Sequence, residues 1–222
     1  MKRKTEIILA LDVDNLKKAR YFLDKLYPRV KVFKIGPQLF TACGPKAIEM
    51  VRQKGAEVFL DLKFFDIPNT TAQAVRMALR QRVKMLTLHI LGGQEMLKAA
   101  VEAGKEEAAK AHTQRPLLIG VTVLTSKEAK REEVLALAKK GLGCGLDGIV
   151  CSVKEAAFLR KRIKNKRFLI VTPGIRPRVC AKDDQKRHAT ARDAVKAGSD
   201  FLVVGRPILE AAHPLDALRG FR

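Results

Sequence analysis

The sequence has no tryptophan and only two tyrosines, and aromatic residues make up 5% of its 222 positions. Proteins that stack nucleic-acid bases interleave aromatic with basic residues, and no such motif occurs here. Cysteine is sparse. Cys43, Cys144, Cys151 and Cys180 form no C-x-x-C pair and no disulfide-framework spacing, so reduced thiols are expected. His89, His112, His188 and His213 are scattered without zinc-ligand spacing, and no metal site is expected. No apolar run approaches the ~18 residues of a membrane helix. The opening Met1-Lys2-Arg3-Lys4-Thr5-Glu6 is basic, but only a short strand-like run follows it. It lacks the apolar stretch and small-residue cleavage site of a signal peptide. A soluble, cytoplasmic protein without membrane contact is expected. Acidic residues are also few: 23 Asp and Glu against 44 Lys and Arg leave a net charge of +21. With 47% apolar residues this is not the composition of a disordered polyelectrolyte. The charge leaves two classes open, a nucleic-acid binder or an enzyme for an anionic substrate on a basic shell.

Short apolar, often β-branched runs alternate with amphipathic stretches along the whole chain. The strand candidates are Ile7–Asp12, Val32–Ile35, Val58–Lys63, Met85–His89, Leu117–Val123, Gly148–Ser152, Phe168–Thr172 and Phe201–Val204. Their near-continuous apolar character is that of strands buried on both faces. Between them the period becomes helical: Leu16, Ala19, Leu23 and Leu26 share one face, as do Met96, Leu97, Ala100 and Val101, and Val134, Leu137 and Ala138. Gly55, Gly141 and Gly198 follow helical stretches, where a left-handed C-cap is expected. Eight βα units without a linker predict an α/β protein, a single-domain (β/α)8 TIM barrel over residues 1–222. A doubly wound open sheet is the alternative. It favours a Gly-rich first turn, which Asp12-Val13-Asp14-Asn15 is not.

In such a barrel, chemistry sits at the C-terminal ends of the strands. The polar residues there are Asp12, Lys34, Asp61, Lys63, His89 and Thr122, then Thr125 and Ser126, then Thr172-Pro173-Gly174-Ile175-Arg176, and Gly205-Arg206. Asp61 and Lys63 are two apart on one strand and face the same way, into the barrel mouth if Leu62 faces the helices. Alternating signs, with Lys34 nearby, offset the cost of burying charge. An ion network without chemistry is the plain alternative. Pro68 biases Ile67 toward extended backbone, and Asn69 is a candidate cap for the next helix. Gly174, Arg176, Gly205 and Arg206 lie after the seventh and eighth strands, where barrels often bind phosphate. The polar segment from Pro177 to Asp184 is long enough to act as a lid.

Taken together, these residues resemble the orotidine 5′-phosphate decarboxylase family over nearly the whole chain. Asp61-Leu62-Lys63-Phe64-Phe65-Asp66-Ile67-Pro68-Asn69-Thr70 is similar to its signature. Leu9–Val13, Phe33–Gly36, Val121–Ser126, Thr172–Pro177, Asp184-Gln185 and Val204–Pro207 follow in the family's order. The resemblance implies decarboxylation of orotidine monophosphate to UMP without cofactor or metal. It implies a charged catalytic array of Lys34, Asp61, Lys63 and Asp66, in a homodimer where Asp66 and Thr70 cross to the partner's site. Asp12 is expected at a ribose hydroxyl, and Thr125 and Ser126 near the pyrimidine. Arg176, Gln185 and Arg206 are expected at the phosphate, with Pro173 and Gly205 also against substrate. Departures fall at Phe65, at His89-Ile90-Leu91-Gly92-Gly93, in the basic segment Arg178–Lys182, and at Thr190-Ala191 after Gln185.

Two rivals remain. Magnesium-dependent sugar-phosphate decarboxylases or synthases of the same superfamily share D-x-K-x-x-D but usually carry Glu where Lys34 stands. A basic nucleic-acid-binding protein would use the run Arg160–Arg167, which is placed on the rim opposite the candidate site and is expected to be a solvated face.

Overall fold

The computed structural model describes residues 5–124, 129–164, 167–177 and 189–221. Its strands are β1 (Glu6–Ala10), β2 (Val32–Ile35), β3 (Glu57–Phe64), β4 (Met85–His89), β5 (Leu117–Val121), β6 (Gly148–Val150), β7 (Leu169–Thr172), β8 (Ile175–Arg176), β9 (Ala189–Thr190) and β10 (Phe201–Val204). Eight of them close into a parallel barrel in the order β1-β10-β7-β6-β5-β4-β3-β2, while β8 and β9 pair separately. The expected (β/α)8 barrel is therefore present. Every expected strand is found, but three end earlier, because Asp12, Val123 and Ser152 lie beyond the last ladder partners of β1, β5 and β6.

The two buried faces of the strands explain their continuous apolar character. Ile8, Ala10, Val32, Phe59, Met85, Ile119, Leu169, Val171, Phe201 and Val203 fill the barrel interior. The alternate residues, among them Leu9, Phe33, Ile35, Val58, Leu60, Leu86, Leu118, Ile170 and Leu202, form the layer between sheet and helices. Side chains in a strand alternate with period two, so both sets must be apolar.

The helices are α1 (Leu16–Leu26), α2 (Pro37–Cys43), α3 (Pro45–Gln53), α4 (Pro68–Arg80), α5 (Gly93–Lys110), α6 (Arg131–Gly143), α7 (Val153–Arg162), α8 (Ala191–Lys196), α9 (Arg206–Leu209) and α10 (Pro214–Arg219). The predicted faces of α1, α5 and α6 are those turned inward, with Ala19, Leu23, Leu26, Met96, Leu97, Ala100, Val101, Val134 and Ala138 buried. Two units depart from one helix per strand: β10 is followed by α9 and α10, and after β2 the helices α2 and α3 are split where Gly44 takes φ 56° and Pro45 starts a new helix.

Two local expectations need correction. Gly55 and Gly198 are left-handed, at φ 84° and 88°, but Gly141 is not. Helix α6 continues through it to Gly143, and Gly145 at φ 96° makes the turn. Gly141 serves packing instead, since a Cβ there would lie 2.9 Å from Ile90 Cδ1. Asn69 does not cap α4. Pro68 occupies the first helical position, which puts Asn69 inside the helix and leaves Ile67 as the flanking residue.

The basic run near the end of α7 is not uniformly a solvated face. Arg160 donates to Gly198 O, Phe168 O and Asp200 Oδ2 at 3.0, 2.8 and 2.6 Å, and its guanidinium lies 4.5 Å from the Phe168 ring centroid. It ties α7 to the starts of β7 and β10. Arg160→Met should lower the unfolding free energy by about 2 kcal/mol, because Asp200 loses a charged hydrogen-bond donor. Chemical denaturation checks this; an unchanged midpoint would show the tie to be idle. Among the described residues no helix is long and apolar enough to cross a membrane.

Candidate active site

The inward-facing parity of the strands continues past the apolar interior and there turns polar. Ile8 and Ala10 are followed two residues on by Asp12, Val32 by Lys34, and Phe59 by Asp61 and Lys63. Val171 leads in the same way to Pro173, and Val203 to Gly205. All of the later residues line one cavity of about 230 Å³ at the barrel mouth, with Arg176 and Arg206 beside them. Its floor is apolar, made by Phe59, Val121, Val150, Val171 and Val203.

One wall is a chain of alternating charge. Lys34 Nζ lies 2.9 Å from Asp12 Oδ1 and 3.5 Å from Asp61 Oδ2, and Lys63 Nζ lies 3.0 Å from Asp61 Oδ2. Lys34 is only 8% exposed. A lone buried ammonium is costly, and here two carboxylates flank it. Gly36 makes room for it, since a Cβ there would come within 2.8 Å of Lys34 Nζ. The four charges sum to zero. Arg176 and Arg206 also line the cavity, with Pro173, Gly174 and Gly205. Gly174 has φ 76°, a left-handed conformation that a side chain would strain.

Asp61 and Lys63 are held unusually. Strand β3 pairs Leu60 with Leu86 and Phe64 with Leu88 on β4, so three residues of β3 stand opposite Thr87 alone. Within this bulge Lys63 takes φ 51°. A left-handed non-glycine residue costs roughly 1–2 kcal/mol. Leu62 packs against the outer core, as its predicted direction requires.

Eight candidate residues thus meet: Asp12, Lys34, Asp61, Lys63, Pro173, Arg176, Gly205 and Arg206. Asp66 and Thr70 do not line their own chain's cavity and are exposed. Asp66 Oδ1 accepts from Ile67 N at 2.7 Å, and Thr71 Oγ1 donates to Asp66 O. Thr125, Ser126 and Gln185, and the lid segment from residue 178 onward, lie outside the described residues. Motif reading missed Thr87, the apolar floor and the part Gly36 plays in making room for Lys34. The available signal was parity: Thr87 is the one hydroxyl in Met85-Leu86-Thr87-Leu88-His89, two residues on from inward-facing Met85.

Among the described residues no group of three or more His, Cys, Asp or Glu is placed to hold a metal ion. Burial pushes the Cys151 thiol well above its ordinary range, so it is not a thiolate nucleophile.

Residues 5–221 match the family described as Orotidine 5′-phosphate decarboxylase / HUMPS. An orotidine 5′-phosphate decarboxylase from Trichlorobacter lovleyi is 47% identical over 96% of this chain and 92% of its own. One from Vibrio cholerae is 44% identical over 94% and 93%. The crystal structure of orotidine 5′-phosphate decarboxylase from Lactobacillus acidophilus superposes with a TM-score of 0.84 at 35% identity, covering 99% of this chain and all of that one. The charged cavity and these likenesses agree, and the chain belongs to the orotidine 5′-phosphate decarboxylase / HUMPS family.

Proposed function

We propose that this protein is an orotidine 5′-phosphate decarboxylase, forming UMP in pyrimidine biosynthesis. The observation that carries this reading is the unbroken chain Asp12–Lys34–Asp61–Lys63 lining one cavity together with Arg176 and Arg206. A single domain spanning residues 1–222 carries the whole activity, in the cytoplasm. Arg176 and Arg206 take the phosphate, with Gly205 and Pro173 against the nucleotide. Gln185 closes over the phosphate, Thr125 and Ser126 meet the pyrimidine, and Asp12 takes a ribose hydroxyl.

In the reaction the bond from ring carbon to carboxylate breaks, carbon dioxide leaves, and its electron pair stays on the ring carbon. Lys63 stabilises that developing carbanion electrostatically and then delivers a proton from Nζ to the same carbon. Asp61 and Asp66 keep the ammonium charged and oriented. The apolar floor withholds water, which strengthens each charge interaction inside. Phosphate binding is remote from the reacting carbon, so its energy serves the transition state through closure of the site.

Asp66 completes the array from the second subunit of a homodimer, together with Thr70. Phe65 and Ile67, on either side of Asp66, are 61% and 66% exposed, and Leu91 is 57% exposed. Such an apolar group at the rim supports a covered interface. Lys34 favours this reaction over the magnesium-dependent relatives, which usually place a Glu there. Purified protein should therefore decarboxylate orotidine 5′-phosphate at full rate with EDTA present, followed by the loss of the substrate's own absorbance as UMP forms. No turnover by folded protein would sink the reading, and activity restored only by magnesium would favour the sugar-phosphate branch.

A further inference from the structure

We propose that Thr87 is a positioning residue for this decarboxylation, holding Asp61 and Lys63 in register from beneath the cavity; the inference rests on the function proposed above. Thr87 is fully buried in β4 and does not line the cavity. Its hydroxyl accepts from the Lys63 backbone N–H at 2.8 Å and donates to Asp61 Oδ1 at 3.0 Å. A hydroxyl has a single proton. Because the amide N–H must occupy an oxygen lone pair, that proton is committed to the carboxylate. One side chain thus sets the backbone of the lysine and the carboxylate that faces the lysine ammonium.

The local backbone explains why a side chain is needed. In a regular parallel ladder the amide of a β3 residue would find a carbonyl on β4. Here the ladder is interrupted between Leu60 and Phe64, and Lys63, within the interruption, takes a left-handed φ. A buried amide seeks a partner, and Thr87 Oγ1 is where Lys63 N–H finds one. The same contact fixes which Asp61 oxygen is left for the ammonium groups. Oδ1 is taken by the hydroxyl, and Oδ2 receives Lys63 Nζ and Lys34 Nζ. Without the hydroxyl, the carboxylate plane and the bulge are both released, and the lysine is displaced from the reacting carbon. Displacement of a reacting group by about 1 Å costs about 10²-fold in rate.

The test compares Thr87→Val, which keeps the shape and loses the hydroxyl, with Thr87→Ser, which keeps the hydroxyl. For Thr87→Val the expected result is a kcat about 10²-fold lower, with KM and UMP affinity within about threefold of wild type. For Thr87→Ser, kcat should return to within about fivefold of wild type, since donor and acceptor are restored. A simple loss of packing would instead lower thermal stability in both variants without separating kcat from KM. If the valine variant does not fold, Thr87→Cys takes its place, with a weak donor in a side chain of similar size; its kcat should fall well below that of Thr87→Ser. Wild-type turnover with Thr87→Val or Thr87→Cys near wild type overturns the positioning role alone. Absence of turnover by the wild-type protein overturns the proposed function and this role with it.

Discussion

Replacing Lys63 with alanine should lower decarboxylation of orotidine 5′-phosphate by about 10⁴-fold or more, while UMP still binds within about tenfold of wild type. Two effects multiply. A preorganised charge at the site of a developing anion contributes about 10²–10³-fold. A positioned general acid contributes about 10²–10⁴-fold. Lys63 is placed for both, with its ammonium at 3.0 Å from Asp61 and its side chain on the cavity wall. The substitution is a clean one at the backbone. Alanine at φ 51° carries the same left-handed penalty as lysine, and the amide still meets Thr87, so the comparison isolates the ammonium. The proposed phosphate contacts, Arg176 and Arg206, are untouched by the substitution, so binding is expected to survive. Stopped-flow or spectrophotometric turnover beside calorimetric UMP binding separates the two quantities. An alanine variant within about tenfold of wild-type kcat would remove Lys63 from the proton-transfer role.

Mixing two inactive proteins, Lys63→Ala and Asp66→Asn, should recover activity if each cavity is completed across a twofold interface. In a mixed dimer one cavity combines the intact Lys63 of one subunit with the intact Asp66 of the other, while the second cavity carries both changes. With random exchange about half the dimers are mixed, so roughly a quarter of wild-type activity is expected. The geometry behind this is that Asp66 is exposed and absent from its own chain's cavity, although only two residues separate it from Lys63. The turn into α4, begun by Pro68, carries it outward between exposed Phe65 and Ile67. Co-purification with two different affinity tags isolates the mixed dimer and removes statistical dilution. Mixed dimers that stay as inactive as either parent would show that Asp66 does not act across subunits.

Strand parity is why so much of the fold and site was legible. Apolar runs predict the eight barrel strands because both faces are buried, and the residues two places beyond the last inward apolar one are Asp12, Lys34, Asp61, Pro173 and Gly205. What parity could not supply is what a bulge creates. The three-against-one pairing opposite Thr87 has no local sequence signature, and a lone threonine in an apolar strand reads as filler. Gly36 was visible only as part of a motif, because its role depends on where the Lys34 ammonium ends, a tertiary fact. The Gly141 and Asn69 expectations failed for a related reason. Gly141 lies inside α6, close against Ile90, with the left-handed turn made later at Gly145, and Pro68 takes the first helical position, which leaves Asn69 inside α4. Net charge was the weakest guide. Of 44 basic residues, Lys34, Lys63, Arg176 and Arg206 are those among the described residues that line the cavity. Arg160, in the most conspicuous basic run, is a structural tie.

The pairing of β10 with β1 has a consequence for synthesis. Residues Glu6 to Leu9 leave the ribosome early, yet their ladder partners Phe201 to Val204 are added almost two hundred residues later. Until then β1 presents an unpaired edge, open to pairing with other chains. The cavity wall that joins Asp12 to Gly205 and Arg206 does not exist before the closing strand is made. Chains that end before β10 therefore hold Lys34, Lys63 and Arg176 without Gly205 and Arg206. Ribosome profiling coupled to aggregation assays would find such intermediates dependent on chaperones, and a shield over this early edge is where co-translational assistance would matter most.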